Sequence, residues 1–386
     1  MLNLDEWETR AKVDFPYREG RVYLNSAGAG LPWPGAPAAA AEYYSHLATW
    51  GAQAQPEWIR RAELARAHVG QLLRVPPTDV TFLRNTSDVM NLAANSVSWR
   101  PGDEVVVAAD DFPSVVLPWT KAEAAGGTLH RVVIDDERRR EDLLLAQINA
   151  RTRVVAVTHV HAVTGARLDL ERLGRACRGV GALFVVDGIE ALGAIDVDLT
   201  WVDVYGAAVF KWMLSGFGLS IGVFAERARE LLTPAYRGYR NPPPSQSFEY
   251  SDPNYPGLYV LDATLQYLDA LGWDEIHRRV ADLTALVDAT VSAQGFTPVT
   301  DAAARAGIIS FGADDAEGLV AQLQTRGIDV VHKSGLVRVS PHFYTSREDI
   351  RRFGAALADS VAATGIRPVD ARRPAAAEAQ APASLS

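Results

Sequence analysis

The sequence predicts an α/β fold in which a large domain built on a parallel sheet is followed by a smaller α+β domain. From about Val80 onward, short apolar runs recur between stretches that show the helical spacing of Leu, Val and Ala. Continuous apolar runs are typical of buried parallel strands, and their alternation with helices indicates crossover connections. Past about Pro256 the pattern changes to two long helical stretches followed by short strands. This change predicts the second domain.

The elements can be assigned in chain order. Residues 1–24 form an N-terminal segment that we expect to pack on the body, and the large domain spans residues 25–256, opening with the Gly/Pro-rich loop around NSAGAGLPWPGA. Its predicted strands are VTFLR from residue 80, EVVVAA at 104–109, RVVAVTHV at 153–160, ALFVVD at 182–187 and LSIGVFA at 219–225. Its predicted helices cover residues 87–97, 141–149 and 169–178.

The small domain is assigned to residues 257–366, together with the N-terminal segment. Long helices are predicted at 257–271 and 274–293, and short strands at 307–311 and 336–340. Residues 367–386 are rich in Ala and Pro, and such a composition buries too little apolar surface to offset its ordering entropy. We therefore expect a disordered tail there.

Composition excludes several classes of function. The 386 residues carry a net charge of −9 at pH 7, which disfavours a nucleic-acid or anionic membrane partner. No apolar run reaches the roughly 18 residues of a membrane span, and the charged N-terminus lacks a signal-peptide core, so we expect a cytoplasmic protein. The single cysteine, Cys177, excludes an internal disulfide. His159 and His161 lack further ligands at a suitable spacing, so no metal site is predicted.

Lys211 is the most informative residue, because it is the only charged side chain between Val204 and Ala225. An apolar, Gly-rich environment would favour the neutral, nucleophilic amine that a Schiff-base lysine needs. The alternative is an exposed turn from which the ammonium reaches water.

Two further features lie where strands are predicted to end. Asp187 closes the run ALFVVDG, and a carboxylate at the carboxyl end of a strand needs a cationic partner such as the pyridinium nitrogen of pyridoxal phosphate. A helix cap or a salt bridge is the alternative. In FLRNTSDVMNLAANSV, Thr86 and Ser87 stand at a helix start, where hydroxyl and backbone N–H groups form an anion site. These three features follow the order expected for one cofactor.

These segments resemble class V aminotransferases, the fold-type I pyridoxal-phosphate enzymes that include cysteine desulfurases, kynureninase and isopenicillin N epimerase. The resemblance covers most of residues 20–365. It implies a mainly parallel seven-stranded sheet, pyridoxal phosphate as cofactor, and a homodimer with the active site at the subunit interface. By this resemblance Lys211 would hold the cofactor covalently and move protons, while Asp187 would pair with the ring nitrogen.

The resemblance also implies the remaining site residues. Thr86 and Ser87 would hold the phosphate, Phe112 would stack on the ring, and Glu190 would stand where relatives have a glutamine or histidine that reaches the ring oxygen. The motif VRVSPHFYTSREDI would supply Arg338 as the clamp for the substrate carboxylate, with Asn25 and Ser26 lying across the substrate. From the pattern of the residues themselves, His161 is expected to line the cofactor pocket, and His342 either lines the substrate site or caps the turn before Phe343.

Several departures from the family pattern bear on the reaction. Desulfurases carry a nucleophilic cysteine on a loop before the arginine motif, whereas this chain reads GIDVVHKSGLVRVS. Persulfide-forming desulfuration is therefore disfavoured, and Cys177 is interpreted as a buried packing thiol. Ala162, Ala208, Phe210 and Asp252 replace residues that contact ring, substrate or phosphate in relatives, which leaves open how the phosphate is held.

The leading hypothesis is a pyridoxal-phosphate enzyme acting on an amino acid or on the amino-acid part of a larger conjugate. The favoured reaction is carbon–sulfur lysis by β-elimination, or decarboxylation coupled to deamination, of an S-substituted cysteine in antibiotic tailoring, such as a lincosamide conjugate. An epimerase-like racemase and an aminotransferase stay open. A non-catalytic protein that keeps the fold for binding is the hypothesis from another class.

Overall fold

The structure is a computed structural model and describes residues 4–17 and 20–371. The helices are α1 (Leu4–Asp14), α2 (Ala36–Trp50), α3 (Gln55–Leu73), α4 (Thr86–Ser96), α5 (Pro113–Val116), α6 (Thr120–Ala124), α7 (Arg140–Leu145), α8 (Leu170–Val180), α9 (Glu226–Leu231), α10 (Tyr255–Leu271), α11 (Trp273–Ala293), α12 (Ala316–Thr325) and α13 (Arg347–Thr364). The strands are β1 (Val22–Tyr23), β2 (Val80–Leu83), β3 (Glu104–Ala108), β4 (Thr128–Val132), β5 (Thr152–Thr158), β6 (Leu183–Asp187), β7 (Val204–Ala208), β8 (Ser220–Phe224), β9 (Ile309–Ala313), β10 (Ile328–Asp329), β11 (Val331–Lys333), β12 (Leu336–Val339) and β13 (Pro368–Val369).

A seven-stranded sheet forms the centre of the molecule, with strand order β2-β8-β7-β6-β5-β3-β4. Six strands share one direction, and β8 runs antiparallel to both of its neighbours. Alternate strand residues enter different apolar clusters, as when Val106 and Val155 join one and Val105 and Val154 join the other. The predicted α/β fold with a mainly parallel sheet is thereby confirmed.

The structure corrects some of the predicted elements. LSIGVFA does not join the sheet as a parallel strand, because the connection from β7 holds only residues 209–219 and contains no helix of the kind that returns a chain for parallel pairing. Strands β4 and β7 were not predicted. Strand β4 was missed because it is a half-exposed edge strand. Strand β7 was missed because its sequence is VYGAA, and Gly and Ala have low strand propensity. The helix predicted at 141–149 ends at Leu145.

A second, antiparallel sheet lies in the C-terminal part of the chain, with strand order β11-β12-β9-β13. Helices α11, α12 and α13 pack on it around a core that includes Leu283, Phe311 and Phe353. The expectation of a tail beginning at residue 367 is wrong at its start, because Pro368 and Val369 pair with β9. Residues 372–386 of that tail lie outside the described residues.

The N-terminal segment contacts the C-terminal part of the chain. Strand β1 pairs in parallel with β10, and Trp7 of α1 packs against Phe343 with ring centroids 5.8 Å apart. No helix within residues 4–17 and 20–371 is long and apolar enough to cross a membrane.

Candidate active site

The candidate residues gather at one edge of the large sheet. Asp187 is the last residue of β6 and faces Thr158, the last residue of β5, while Lys211 follows β7 by three residues. Thr86 begins α4 just after β2, and Phe112 lies four residues beyond β3. These positions all lie at the carboxyl ends of strands that share one direction, where open α/β sheets bind ligands.

Lys211 is paired with an acid that is completely buried. Its Nζ lies 2.6 Å from Oε1 of Glu190, and the indole Nε1 of Trp212 donates to Oε2 of the same carboxylate at 2.9 Å. The lysine side chain is only 14% exposed. The expected apolar surroundings are therefore wrong in one respect, since the amine has a carboxylate partner, and the alternative of an exposed turn is wrong as well.

Asp187 is a buried carboxyl group whose pKa is raised to about 7. Burial is the largest cause, while the backbone N–H of Ile189, which donates to Oδ1 at 2.9 Å, acts in the opposite direction. Among the residues that the structure describes, no basic side chain lies within ion-pair distance of Asp187. A buried acid without a counter-ion fits a cationic ring nitrogen.

A second buried carboxyl group, Asp111, lies close to the first and was missed in the sequence. The backbone N–H of Thr158 donates to its Oδ2 at 3.2 Å, and burial raises the pKa of Asp111. Its negative charge is among the causes that raise the pKa of Asp187. The signal was available in the motif DDFPS, where Asp111 directly precedes Phe112.

Hydroxyl groups surround the start of α4. The backbone N–H of Ala208 donates to Oγ1 of Thr86 at 2.9 Å, which leaves the proton of that hydroxyl to donate elsewhere. The hydroxyls of Ser87 and Ser114 are 2.6 Å apart, and the side chain of Asn85 caps the helix. These groups fit a phosphate, because they combine hydroxyl donors with the free N–H groups of a helix start.

Two of the family departures can be described by their contacts. Asp252 is ion-paired with Arg240 at 2.8 Å, and Tyr255 joins both residues through its hydroxyl. The negative charge of Asp252 is therefore compensated within the chain. Phe210 stacks on Phe217 with ring centroids 4.1 Å apart, so it is part of an aromatic pair beside Lys211.

Phe112 carries its ring on the surface rather than in a core. It is one of the exposed large apolar side chains of the described residues, and it immediately precedes Pro113 at the start of α5. Its exposed ring has the chemistry needed to stack on a flat heteroaromatic group.

Arg338 is a buried guanidinium with contacts to neutral groups. Nη1 donates to the carbonyl of Ala162 at 2.6 Å, Nη2 donates to Oδ1 of Asn25 at 3.2 Å, and Nε has no partner among the described residues. Burial lowers the pKa of Arg338. A buried cation that lacks a carboxylate partner fits an anionic substrate group. Ser26, also fully buried, bonds through Oγ to the Tyr344 hydroxyl at 2.9 Å.

The two histidines make their hydrogen bonds within the chain. Phe343 N–H donates to Nδ1 of His342 at 2.8 Å, which places the ring proton on Nε2, 3.0 Å from the carbonyl of Trp212. Burial lowers the pKa of His342 to about 3. These contacts favour the turn-capping alternative. In His161, Nε2 bonds to the carbonyl of Asp110 and Nδ1 accepts from the backbone N–H of Thr164, so both ring nitrogens have partners. The expectation that its ring lines the cofactor pocket stays a prediction.

One group of potential metal ligands does occur. Asp110, Glu137 and His161 each offer an atom, and these atoms lie within 4.8 Å of one another. Arg140 forms ion pairs with both carboxylates, at 2.5 and 2.8 Å. The carboxylates therefore have a cation already, and nothing else in the group points to a metal ion.

Comparison with known proteins identifies the class of enzyme. Residues 22–353 match the model of the family "Aminotransferase class-V". The chain belongs to this family, and its cofactor is pyridoxal phosphate, which one structural neighbour of the same fold contains. Both the predicted family and the predicted cofactor are confirmed.

The individual relatives are described mainly as cysteine desulfurases. The chain is 27% identical to a probable cysteine desulfurase of Methanothermobacter thermautotrophicus, over 89% of this chain and 96% of that protein. It resembles the apo structure of cysteine desulfurase from Thermococcus onnurineus NA1, with a TM-score of 0.84, 22% identity and coverage of 94% of this chain and 99% of that one. The cystine C–S lyase C-DES, in complex with cysteine persulfide, superposes with a TM-score of 0.82 at 22% identity, covering 89% and 99% of the two chains.

Proposed function

We propose that the protein is a carbon–sulfur lyase that acts by β-elimination on an S-substituted cysteine. The position of the only cysteine carries this proposal. Cys177 lies in α8 within an apolar cluster, and burial raises its pKa to about 12. A sulfur-accepting thiolate must be accessible and ionised. Sulfur therefore leaves on the substrate's own substituent rather than on the protein.

The hairpin before Arg338 supports the same reaction. Only Ser334 and Gly335 connect β11 to β12, so this turn has no space for a loop that brings a thiol to the substrate. One structural neighbour is named a cystine C–S lyase, which is a β-elimination activity on a sulfur amino acid. The first substrates to test are cysteine conjugates of secondary metabolites, lincosamides among them.

Four side chains have separate roles in the proposed reaction. Bound pyridoxal phosphate supplies an electron sink for the Cα of the attached amino acid. Asp187 keeps a proton on the ring nitrogen, and Arg338 binds the α-carboxylate. Lys211 takes the Cα proton, and Glu190, 2.6 Å away, holds the amine in position and relays the proton. As the Cβ–S bond breaks, the sulfur leaves as a thiol; one water is consumed, and the other products are pyruvate and ammonia.

The experiment is product analysis with the holoenzyme. S-substituted cysteines should yield pyruvate, ammonia and the free thiol in equal amounts, and Lys211→Ala should abolish turnover while Lys121→Ala, on an exposed short helix, does not. Borohydride reduction followed by peptide mapping should place the pyridoxyl group on Lys211. Alanine as product, or racemised substrate, would contradict the proposal, and release of CO2 would support decarboxylation coupled to deamination.

A homodimer with the active site at the interface belongs to this proposal. Phe217 is 72% exposed although it stacks on Phe210 beside Lys211. A large exposed aromatic ring next to a site is typical of a surface that a partner covers. Sedimentation equilibrium of the holoenzyme would give the oligomeric state directly.

A non-catalytic binding protein is the less supported alternative. The paired Lys211 and Glu190, placed beside a buried acid without a counter-ion, form a costly arrangement that a scaffold does not require. Loss of turnover in Lys211→Ala with the fold intact would decide between the two.

A further inference from the structure

Lys333 is a half-buried cation on the same hairpin as Arg338. In the register of β11 and β12, Val331 faces Arg338 and Lys333 faces Leu336. Residues that face each other across an antiparallel pair lie on one side of it, and so do residues two apart in a strand. Lys333 and Arg338 therefore project from the same side of the hairpin as diagonal neighbours.

The turn fixes the position of Lys333. Ser334 and Gly335 both have positive φ angles, of 49° and 78°, which is the conformation of a tight two-residue hairpin turn. Lys333 is the last residue before this turn, so its backbone has little freedom.

The register places Lys333 beside Arg338, and the charges that act on Lys333 are those of the candidate active site. Burial is the largest cause that lowers the pKa of Lys333, and the charges of Arg338 and Lys211 act in the same direction, whereas Glu190 opposes them. Glu190 is already bound to Lys211 and Trp212. Within residues 4–17 and 20–371, Lys333 forms no ion pair and no side-chain hydrogen bond.

Among the described charged residues around this hairpin, the balance of charge leaves Lys333 without an anionic partner. Arg338 accounts for the α-carboxylate of an amino-acid substrate under the proposed function, and the pair Lys211–Glu190 is neutral as a unit. Burial removes part of the hydration of the Lys333 ammonium, and no anion among the described residues is paired with it to compensate. A second anionic group on the ligand would compensate for the lost hydration.

We propose that Lys333 binds a carboxylate at the far end of the substrate's S-substituent. The substrate class is then an S-substituted cysteine with two carboxylates, one held by Arg338 and one by Lys333. A single ammonium matches a singly charged carboxylate. This inference rests on the proposed function for the reaction, but the binding preference that it predicts can be measured without turnover.

The test uses two ligands that lack an amino group and cannot react. These are 3,3′-thiodipropionate and its monoamide, which have nearly the same shape and differ by one negative charge. Calorimetry with the holoenzyme at low salt should show the dianion binding about tenfold more tightly, as expected for one charge-assisted contact. Lys333→Met should remove this difference and Lys333→Arg should keep it. Lys121→Met serves as the matched control and should also keep it.

Three results would overturn the inference: equal affinity of both ligands in the unmodified protein, no measurable binding of the dianion, or the same ratio in Lys333→Met. In the last case, Lys333→Met that also takes up the cofactor more weakly would show that Lys333 binds the phosphate of the cofactor and not a carboxylate of the substrate. Failure of the proposed lyase reaction can be distinguished from failure of this inference. If no substrate yields pyruvate while the ratio still depends on Lys333, the lyase reaction is wrong and the two-carboxylate site stands.

Discussion

At the scale of single residues, the ion pair between Lys211 and Glu190 has the largest consequence for the chemistry. The family resemblance implies a glutamine or histidine where this chain has Glu190, so the carboxylate adds an acid–base group 2.6 Å from the amine that we propose to be catalytic. Because Trp212 holds the other oxygen, the carboxylate has a fixed orientation. We interpret the pair as one proton-transfer unit.

Glu190→Gln tests this unit. The amide keeps the shape of the side chain and its bond with Trp212 but cannot carry a proton for Lys211. We expect kcat for pyruvate formation to fall by about 10²-fold or more, the usual size of an acid–base contribution, with cofactor uptake unchanged. Trp212→Phe is the control for orientation alone and should cost less. An unchanged kcat in Glu190→Gln would show that the carboxylate has no part in proton transfer.

Asp187 should make the stability of the cofactor-free protein depend on pH. Its pKa is raised to about 7 in the folded protein from an ordinary value near 3.8, mainly by burial. The folded state therefore binds more protons than the unfolded state between about pH 4 and pH 7, and stability falls as pH rises through this range. The loss is on the order of a few kcal/mol. Urea unfolding of the cofactor-free protein should show this loss of stability, and Asp187→Asn should show a much smaller loss.

Cofactor binding should reverse that effect. A cationic ring nitrogen beside Asp187 favours the ionised carboxylate, so the holoenzyme should not lose stability over this range. Parallel pH profiles for the cofactor-free unmodified protein and Asp187→Asn would contradict the assignment of the titration to Asp187.

At the scale of residues, sequence reasoning singled out side chains whose signal was local. Lys211 and Asp187 stood out because each is a lone charge at the end or in the middle of an apolar run. Asp111 and Lys333 did not stand out, because their importance depends on what the fold brings beside them. For His161, the fold supplies Asp110 and Thr164 as partners of the two ring nitrogens, and its place in the cofactor pocket stays a prediction.

Among the elements, α8 determines what the only thiol can do. The helix buries Cys177 together with Leu173 against the large sheet. Cys177→Ala should therefore leave kcat unchanged, because the thiol takes no part in the elimination that we propose. Removing buried sulfur should lower the free energy of unfolding by about 1–2 kcal/mol. A large loss of kcat with the fold intact would revive a sulfur-accepting mechanism and refute the proposed elimination.

Strands were likewise found where their signal was local and missed where it depended on distant parts of the chain. The runs of β3, β5, β6 and β8 were found because each is apolar and continuous. The direction of β8 could not be read from composition, since it depends on the length and course of its connection. Strand β7 was hidden because close packing of Gly206 against Val89 and Met90 of α4 demands a small residue there, which lowers the strand signal.

At the scale of the whole molecule, the N-terminal segment connects with the candidate site through packed rings. Trp7 packs on Phe343, Phe343 packs on His342, and His342 packs on Trp212, whose indole bonds to Glu190. We propose that the N-terminal segment and the C-terminal sheet form one folding unit, as the domain assignment expects.

Trp7→Ala should test this unit. Deleting a buried indole should lower the free energy of unfolding by about 3 kcal/mol or more. If the ring contacts help to position Trp212, kcat should also fall, and by more than in Val13→Ala, an exposed residue of the same helix. Denaturant unfolding and steady-state kinetics on the two variants give both numbers. Equal stability of the two would show that α1 is not part of the unit.

The short turn at Ser334 and Gly335 also restricts how this enzyme could change its chemistry over evolution. A single substitution could place a thiol at the turn, but the tight backbone conformation would hold it there and give it no reach along the substrate. Acquiring a sulfur-carrying activity would therefore require a lengthened hairpin as well as a new cysteine. Two separate changes, an insertion and a point mutation, would then distinguish the proposed lyase from a sulfur-carrying enzyme.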